Sequence, residues 1–358
     1  MSKFIVPLSI LLAIPLLVAG LSLDPASVAS VEQNSSRHPS DLGEVRQFWP
    51  NDGNPIDVVA VAIGPNGDVF AIHRDNRGFS GDGTLIERPV IVRLDPETAE
   101  VMAEIGDGIF INPHGLSVGE DGALWVADIG LNSVIRLSQD GTLLGAFGDA
   151  YPRWMEPALR LRNVLPRLPV PMSDLTFARP TDVVPLPNGG FAVTDGYRNA
   201  RLAVFDAEGA LNWERNSRGS EVGSFHLLHG LAVDREGRLF VADRRNARIQ
   251  VFSSDGQVLA HRLGAELGRP FGLDIGDDDC LYVVDGGDRL DTQNLTEEQA
   301  SRRGLSQTIL NDADLEPATR VAMSQRFVLP HDVAVGPDGT VFIADPEAGY
   351  LFAVQIEN

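Results

Sequence analysis

The chain of 358 residues has one cysteine, Cys280, so it cannot form an internal disulfide and has too few thiols for a cysteine-based zinc site. Positive charge is also scarce. Lys and Arg total 29 against 50 Asp and Glu, a formal net of −21. Such an acidic surface repels phosphate backbones and speaks against a nucleic-acid partner. No Ser–His–Asp set, phosphate-cradling glycine loop or C-x-x-C pair is present. What remains is 43% hydrophobic and 22% charged, the balance of a globular chain. The 36 glycines and 23 prolines are well spread, as suits a turn-rich all-β protein.

The N-terminus carries Lys3 ahead of an uncharged apolar run from Phe4 to Leu21, followed by Ser27-Val28-Ala29. This pattern reads as an export signal over residues 1–29, either cleaved at the small residues or retained as a membrane anchor. The expected location is therefore periplasmic or secreted, with membrane contact only through that segment. No cysteine follows the run, which excludes lipoprotein attachment. Residues 30–42 read as a polar linker, and 43–358 as one domain.

That domain repeats itself. Copies begin at Val59, His114, Thr181, His229, Phe271 and His331, each an apolar strand, a Gly/Asp/Asn turn and a second strand such as Leu124-Trp125-Val126-Ala127-Asp128. The second strand ends on Asp in five copies: Asp128, Asp195, Asp243, Asp285 and Asp345. A third and a fourth strand follow. Short strands in repeated groups of four are the signature of propeller blades. The spacing predicts an all-β, six-bladed β-propeller; a pair of β-sandwiches would not explain a repeated unit. The last copy stops after its third strand, so Glu44–Trp49 is expected to complete the sixth blade and remove the open edge. Two connections, Asp149 to Phe177 and Gly286 to Phe327, are too long for turns; they read as functional rims or as outer-surface insertions.

Equivalent positions of the blades surround one axis, so their differences carry information. The first position of strand one reads Val59, His114, Thr181, His229, Phe271, His331. Histidine on alternate blades places three imidazoles around one point, with a coordination position left open, as catalytic zinc requires. Iron, copper or cobalt would also suit such ligands. The other histidines, His38, His73, His226 and His261, fall outside this pattern. Just beyond strand two stand Arg74 and Arg244, and one position further in the third blade is Tyr197. A guanidinium beside a phenol favours the phenolate and makes Tyr197 a candidate base; equally, these arginines pair with surface carboxylates. Asp332, next to His331, reads either as a ligand to a hard cation such as Ca²⁺ or as a structural hydrogen-bonding group.

The segments Pro113-His114-Gly115-Leu116-Ser117, Pro180-Thr181-Asp182-Val183, Thr194-Asp195-Gly196-Tyr197 with Asn199-Ala200-Arg201, Ala242-Asp243-Arg244 leading to Arg248-Ile249-Gln250, and Pro330-His331-Asp332-Val333 together resemble the peptidyl-α-hydroxyglycine α-amidating lyase family. The resemblance spans about residues 55 to 357. It implies a six-bladed propeller of NHL-type repeats and zinc-dependent cleavage of a C-terminal α-hydroxyglycine to an amide and glyoxylate. It further implies His114, His229 and His331 as zinc ligands, Tyr197 as the base and Arg74 as its support, and Arg244 as a second arginine of the site, the better placed of the two for the substrate carboxylate. Asp332, with the carbonyls of Val61 and Leu116, is implied as a calcium site. The chain departs from animal members, which are disulfide-bonded, and is shorter after Arg74. Nothing in it resembles the copper monooxygenase of bifunctional animal proteins, so its substrate is expected from another source. Two other functions stay open: a non-enzymatic propeller that binds a protein or peptide around a structural metal, and a calcium-dependent lactonase-like hydrolase, for which axial carboxylates would suit better than a histidine ring.

Overall fold

The turn after each first strand needs a left-handed residue. Gly122, at φ 77°, closes one such turn with its N–H on the Gly119 carbonyl at 2.8 Å, and Asp279, at φ 56°, takes the same place in the fifth copy. In a computed structural model the described residues are 42–356, apart from 153, 163–164, 166–167, 169, 264–267, 288–303, 312–313, 316–318 and 323–326. Their strands form antiparallel sheets in chain order. The first blade is Val58–Ile63, Val69–His73, Ile91–Leu94 and Val101–Ile105; the second is Pro113–Val118, Leu124–Asp128, Ser133–Leu137 and Leu143–Phe147. The third is Asp182–Pro185, Phe191–Asp195, Arg201–Phe205 and Leu211–Arg215, and the fourth Leu228–Val233, Leu239–Asp243, Arg248–Phe252 and Val258–Leu263. The last is Asp332–Val335, Thr340–Asp345, Tyr350–Ile356 and the N-terminal Leu42–Trp49. First strands pack on the first strands of adjacent sheets, and the last closes onto the first, which makes this all-β chain a propeller.

The expectation of six equal blades is corrected in the fifth sheet. Pro270–Ile275 and Cys280–Asp285 pair regularly, but the third strand, Gly304–Asn311, comes out of the segment read from sequence as a connection. It pairs with both Asp314–Leu315 and Thr319–Ala322, so this sheet has five strands and only the other five repeat the four-stranded blade. The insertion after Asp285 separates the second strand from the third and breaks the period on which the count rested. The expected helical stretch Thr296–Arg303 lies outside the described residues. The other long connection holds a short helix, Met155–Leu161.

Closure through the N-terminus is observed. Leu42–Trp49 pairs antiparallel with Tyr350–Ile356, Val45 opposite Val354 and Arg46 opposite Ala353, which covers an otherwise open edge. The expected export segment 1–29 and residues 30–41 of the expected linker 30–42 lie outside the described residues, while Leu42 belongs to the closing strand.

Burial falls from the second strand outward. All of Leu124–Asp128 is buried, whereas Leu143–Phe147 is half to fully exposed. Each second strand is covered by blades on both faces, so its residues are continuously apolar rather than alternating. The terminal Asp of that strand is a staple. Asp128 accepts N–H groups of Ile111 and Asn112 before the first strand and of Gly130 and Leu131 after the second; Asp345 does the same for Val328, Leu329 and Ala348. The first blade has His73 in that place, and Asp57 takes over from the opposite side, accepting from Arg74, Asn76 and Gly78.

His73 is 5% exposed and uses Nδ1 to accept the Asp75 N–H at 3.1 Å. Burial pushes its pKa down to about 4, against the pull of Asp57 and Asp75 and with a small push from Arg88. The unfolded chain therefore takes up a proton that the folded chain refuses. This contribution is complete above about pH 6.5 and is lost as the pH falls toward 4, amounting to about 3 kcal/mol. The thermal midpoint of His73→Phe is expected to fall less than that of the parent between about pH 7.5 and 4.5; equal slopes would contradict this origin.

Candidate metal centre and active site

His114, His229 and His331 begin their blades at the axis and are 2%, 3% and 7% exposed. Their rings stand 4.7 to 4.9 Å apart, centroid to centroid, and one ligand atom from each lies within 4.8 Å of the others. The residues between them in the alternation have a defined part. His114 Nδ1 donates to the Thr181 carbonyl at 2.7 Å, His229 Nδ1 to Phe271 at 3.1 Å and His331 Nδ1 to Val59 at 2.7 Å. Each histidine is thus tied to the first residue of the next blade. A carbonyl only accepts, so the proton sits on Nδ1 and Nε2 carries the lone pair. Burial pushes all three pKa values down, His331 to about 3 and the other two well below the usual range, with the neighbouring histidines and arginines adding to the effect. Three neutral, pre-oriented imidazoles are what a borderline divalent metal needs.

Tyr197 leans over this ring, its hydroxyl 2.8 Å from His114 Nε2 and 3.3 Å from His229 Nε2. Both nitrogens are acceptors, so the phenol donates, on distance to His114. Gly196 makes the approach possible: a Cβ there would lie 1.9 Å from the Leu228 carbonyl oxygen. Arg244 lies with its guanidinium carbon 3.7 Å from the centre of the Phe271 ring and hydrogen-bonds the Tyr197 hydroxyl. Arg74, 4% exposed, donates Nε–H to the Pro113 carbonyl at 2.9 Å, while its Nη2 is buried without a partner among the described residues.

Burial qualifies the expectation of a phenolate. Burial pushes the Tyr197 hydroxyl up, and Arg244 and then Arg74 pull against it without cancelling the rise. The arginines alone therefore do not make a phenolate, because the site is too dry for the charge. Both arginines act on the tyrosine, Arg244 bonded to its hydroxyl and Arg74 through its charge, and Arg74 keeps an unused buried donor at Nη2.

Below the histidines lies a small void of about 10 Å³, bounded on the far side by Asp182 and Asp332. Asp332 accepts the Val61 N–H at 3.0 Å; Asp182 accepts from Val183 and Leu231, both at 2.9 Å; Asp274 accepts from Ile275 and Val335, both at 2.8 Å. Burial pushes Asp182 up to about 7 and Asp274 to about 6, and Asp332 well above the usual range; Asp274 adds repulsion to Asp182, Asp182 and Asp274 add it to Asp332, and Asp277 adds it to Asp274. A cavity of about 710 Å³ opens on this side, and Val61 and Leu116 line it with the three carboxylates. Sequence reading singled out Asp332 and passed over Asp274, whose offset within the repeat is different. Phe271 and Thr181 were also passed over, because a backbone carbonyl leaves no mark on residue type. Their place at the repeat position between the histidines was the available signal.

Known proteins bear on this arrangement. The NHL repeat family matches residues 225–252, in the fourth blade. The chain is 31% identical over 331 residues to Peptidyl-glycine alpha-amidating monooxygenase B of Xenopus laevis, a match covering 85% of this chain and 34% of that protein. It is 25% identical over 322 residues to a Probable peptidyl-alpha-hydroxyglycine alpha-amidating lyase of Caenorhabditis elegans, covering 84% of this chain and 82% of that protein. The chain belongs to the peptidyl-α-hydroxyglycine α-amidating lyase family. It spans about a third of the Xenopus protein's length. The solved Streptogramin B lyase structure matches this lyase-family chain with a TM-score of 0.53 at 14% identity, over 88% of this chain and 98% of the other, a likeness of propeller fold alone.

Proposed function

We propose that this chain is a zinc-dependent lyase that splits the N–C bond of a C-terminal α-hydroxyglycine, or a related carbinolamide, into an amide and glyoxylate. The observation that carries the reading is the Tyr197 hydroxyl poised at 2.8 and 3.3 Å from two imidazole nitrogens whose lone pairs face the same point. Three neutral histidines fit zinc, which when bound supplies Lewis-acid polarisation of a hydroxyl.

The chain's own groups account for the rest. With the Nε2 lone pairs holding the ion, Tyr197 would lose its acceptor and release its proton to solvent, and Arg244 would stabilise the phenolate oxygen. That oxygen would take the substrate hydroxyl proton and pass it to the departing nitrogen. The O–H electrons form the aldehyde C=O, the C–N pair leaves with nitrogen, and nitrogen takes up a proton to give the amide. Arg74, with a buried donor to spare, holds the substrate carboxylate. Asp332, with the Val61 and Leu116 carbonyls, is the proposed calcium site; converging buried carboxylates fit a hard cation there, and Asp182 joins them. The five-stranded sheet is read as one blade of a six-bladed ring, and the apolar N-terminus as an export signal or anchor. A calcium-centred hydrolase is disfavoured by imidazoles at the ring.

The test pairs elemental analysis of the purified protein with glyoxylate release from benzoyl-α-hydroxyglycine. Near-stoichiometric zinc and glyoxylate release are expected. Zinc without release would move the function to another carbinolamide or to binding, and absence of any transition metal would overturn the reading.

A further inference from the structure

A cavity of about 490 Å³ lies where Ile111, Asn112 and Ile129 of the second-blade region meet Glu156 and Arg179, a size suited to a small ligand. Asn112 lines it and is 5% exposed. Its Nδ2 donates to the Phe79 carbonyl at 2.7 Å, which sets the amide orientation. The opposite atom, Oδ1, is a buried acceptor with no partner among the described residues. Such an atom bears the cost of desolvation with nothing in return, and it asks for an N–H from outside the chain.

The same cavity is lined by Arg179, half-buried. Its backbone is held on both sides, N–H on Asn132 Oδ1 at 2.8 Å and carbonyl under the Tyr197 N–H at 3.5 Å. Its guanidinium has no hydrogen bond or ion pair among the described residues. The carboxylate at this cavity, Glu156, is already engaged by the Tyr151 hydroxyl, Arg160 and Arg198 at 3.1, 3.1 and 3.3 Å. Cationic groups therefore outnumber anionic ones here, in a chain whose net charge is −21. The lining is tied to the reacting end through Phe79, the neighbour of the lining residue Ser80: Asn112 holds its carbonyl, and its ring packs on Tyr197 at 5.1 Å.

We propose that this cavity is a subsite for an acidic residue preceding the α-hydroxyglycine, Asn112 Oδ1 accepting a peptide N–H and Arg179 binding the side-chain carboxylate. The inference rests on the lyase reading above and gives it a substrate class, N-acylated peptides ending in Glu or Asp before the hydroxyglycine.

The experiment measures kcat/KM for glyoxylate release by the full-length protein from acetyl-Glu-, acetyl-Gln-, acetyl-Lys- and glutaryl-α-hydroxyglycine. Glu is expected to exceed its neutral isostere Gln by about tenfold, as one charge-assisted hydrogen-bonded pair supplies, with Lys poorest and the gap narrowing in salt. Glutaryl, with the carboxylate but without the acetamido N–H, is expected to fall below acetyl-Glu by a similar factor. In Arg179→Gln the Glu-to-Gln ratio is expected to approach one, and a ratio within one protein is insensitive to partial misfolding. Equal use of Gln and Glu, or a preference that survives in the variant, would overturn the proposal. If no compound releases glyoxylate, NMR titration with the amides acetyl-Glu-NH₂ and acetyl-Gln-NH₂ decides. Tighter binding of the former, lost in Arg179→Gln, keeps the subsite while the lyase reading fails; equal or absent binding overturns both.

Discussion

Replacing Tyr197 by phenylalanine is expected to lower kcat for glyoxylate release by about 10²- to 10⁴-fold, the usual worth of a positioned acid–base group, with metal content unchanged. The hydroxyl is the atom that reaches the imidazole nitrogens, at 2.8 and 3.3 Å. The ring makes separate edge contacts, 5.1 Å from Phe79 and 5.3 Å from His114, which phenylalanine keeps. Loss of rate with intact zinc and an unchanged thermal midpoint therefore reads as lost chemistry rather than lost structure. Because burial raises the Tyr197 pKa in the metal-free site, metal binding is expected to shift its phenol absorbance toward the phenolate at lower pH. A variant within threefold of parental kcat would remove Tyr197 from the mechanism.

Replacing His229 by alanine is expected to abolish stoichiometric zinc and, with it, glyoxylate release. The change deletes one of three ligand nitrogens, leaves the Phe271 carbonyl without its donor and opens a void beside the Phe271 ring. Loss of an outer partner of a metal ligand typically costs 10- to 100-fold in affinity or activity, so loss of the ligand is expected to cost at least about 100-fold. A chelator should lower the thermal midpoint of the parent, because a metal that binds only the folded chain stabilises it by mass action. The midpoint of the variant should not respond. Full zinc content in His229→Ala, measured by elemental analysis, would show that the ring is not the site.

The histidine ring was legible because it sits on a repeat. His114, His229 and His331 share one position in alternate copies, and blades about a common axis bring equivalent positions together. The same reasoning reached Asp332 but not Asp274, which approaches the channel from a different offset in its strand. It set the arginines beside Tyr197, but a sequence shows a charge near a phenol and not the dryness of the site, which dominates the phenol's pKa. Asn112 and Arg179 had no signal of any kind. They belong to different blades and face one cavity only after the blades are packed.

The blade count shows the same division. Where the repeat is regular, alternation and turn residues sufficed to place the strands. After Asp285 the insertion destroyed the period, and pairing alone decided that Gly304–Asn311 is the third strand of that sheet. By itself, the sequence determined the repeated all-β unit, the closing N-terminal strand and the alternating histidines, since each depends on local residue pattern and on symmetry. Only the tertiary structure decided the tautomer of each imidazole, the partner of each arginine and the convergence of the channel carboxylates. These depend on distances between blades, on backbone carbonyls that have no residue identity, and on burial, which is a property of the packed molecule and not of any segment of chain.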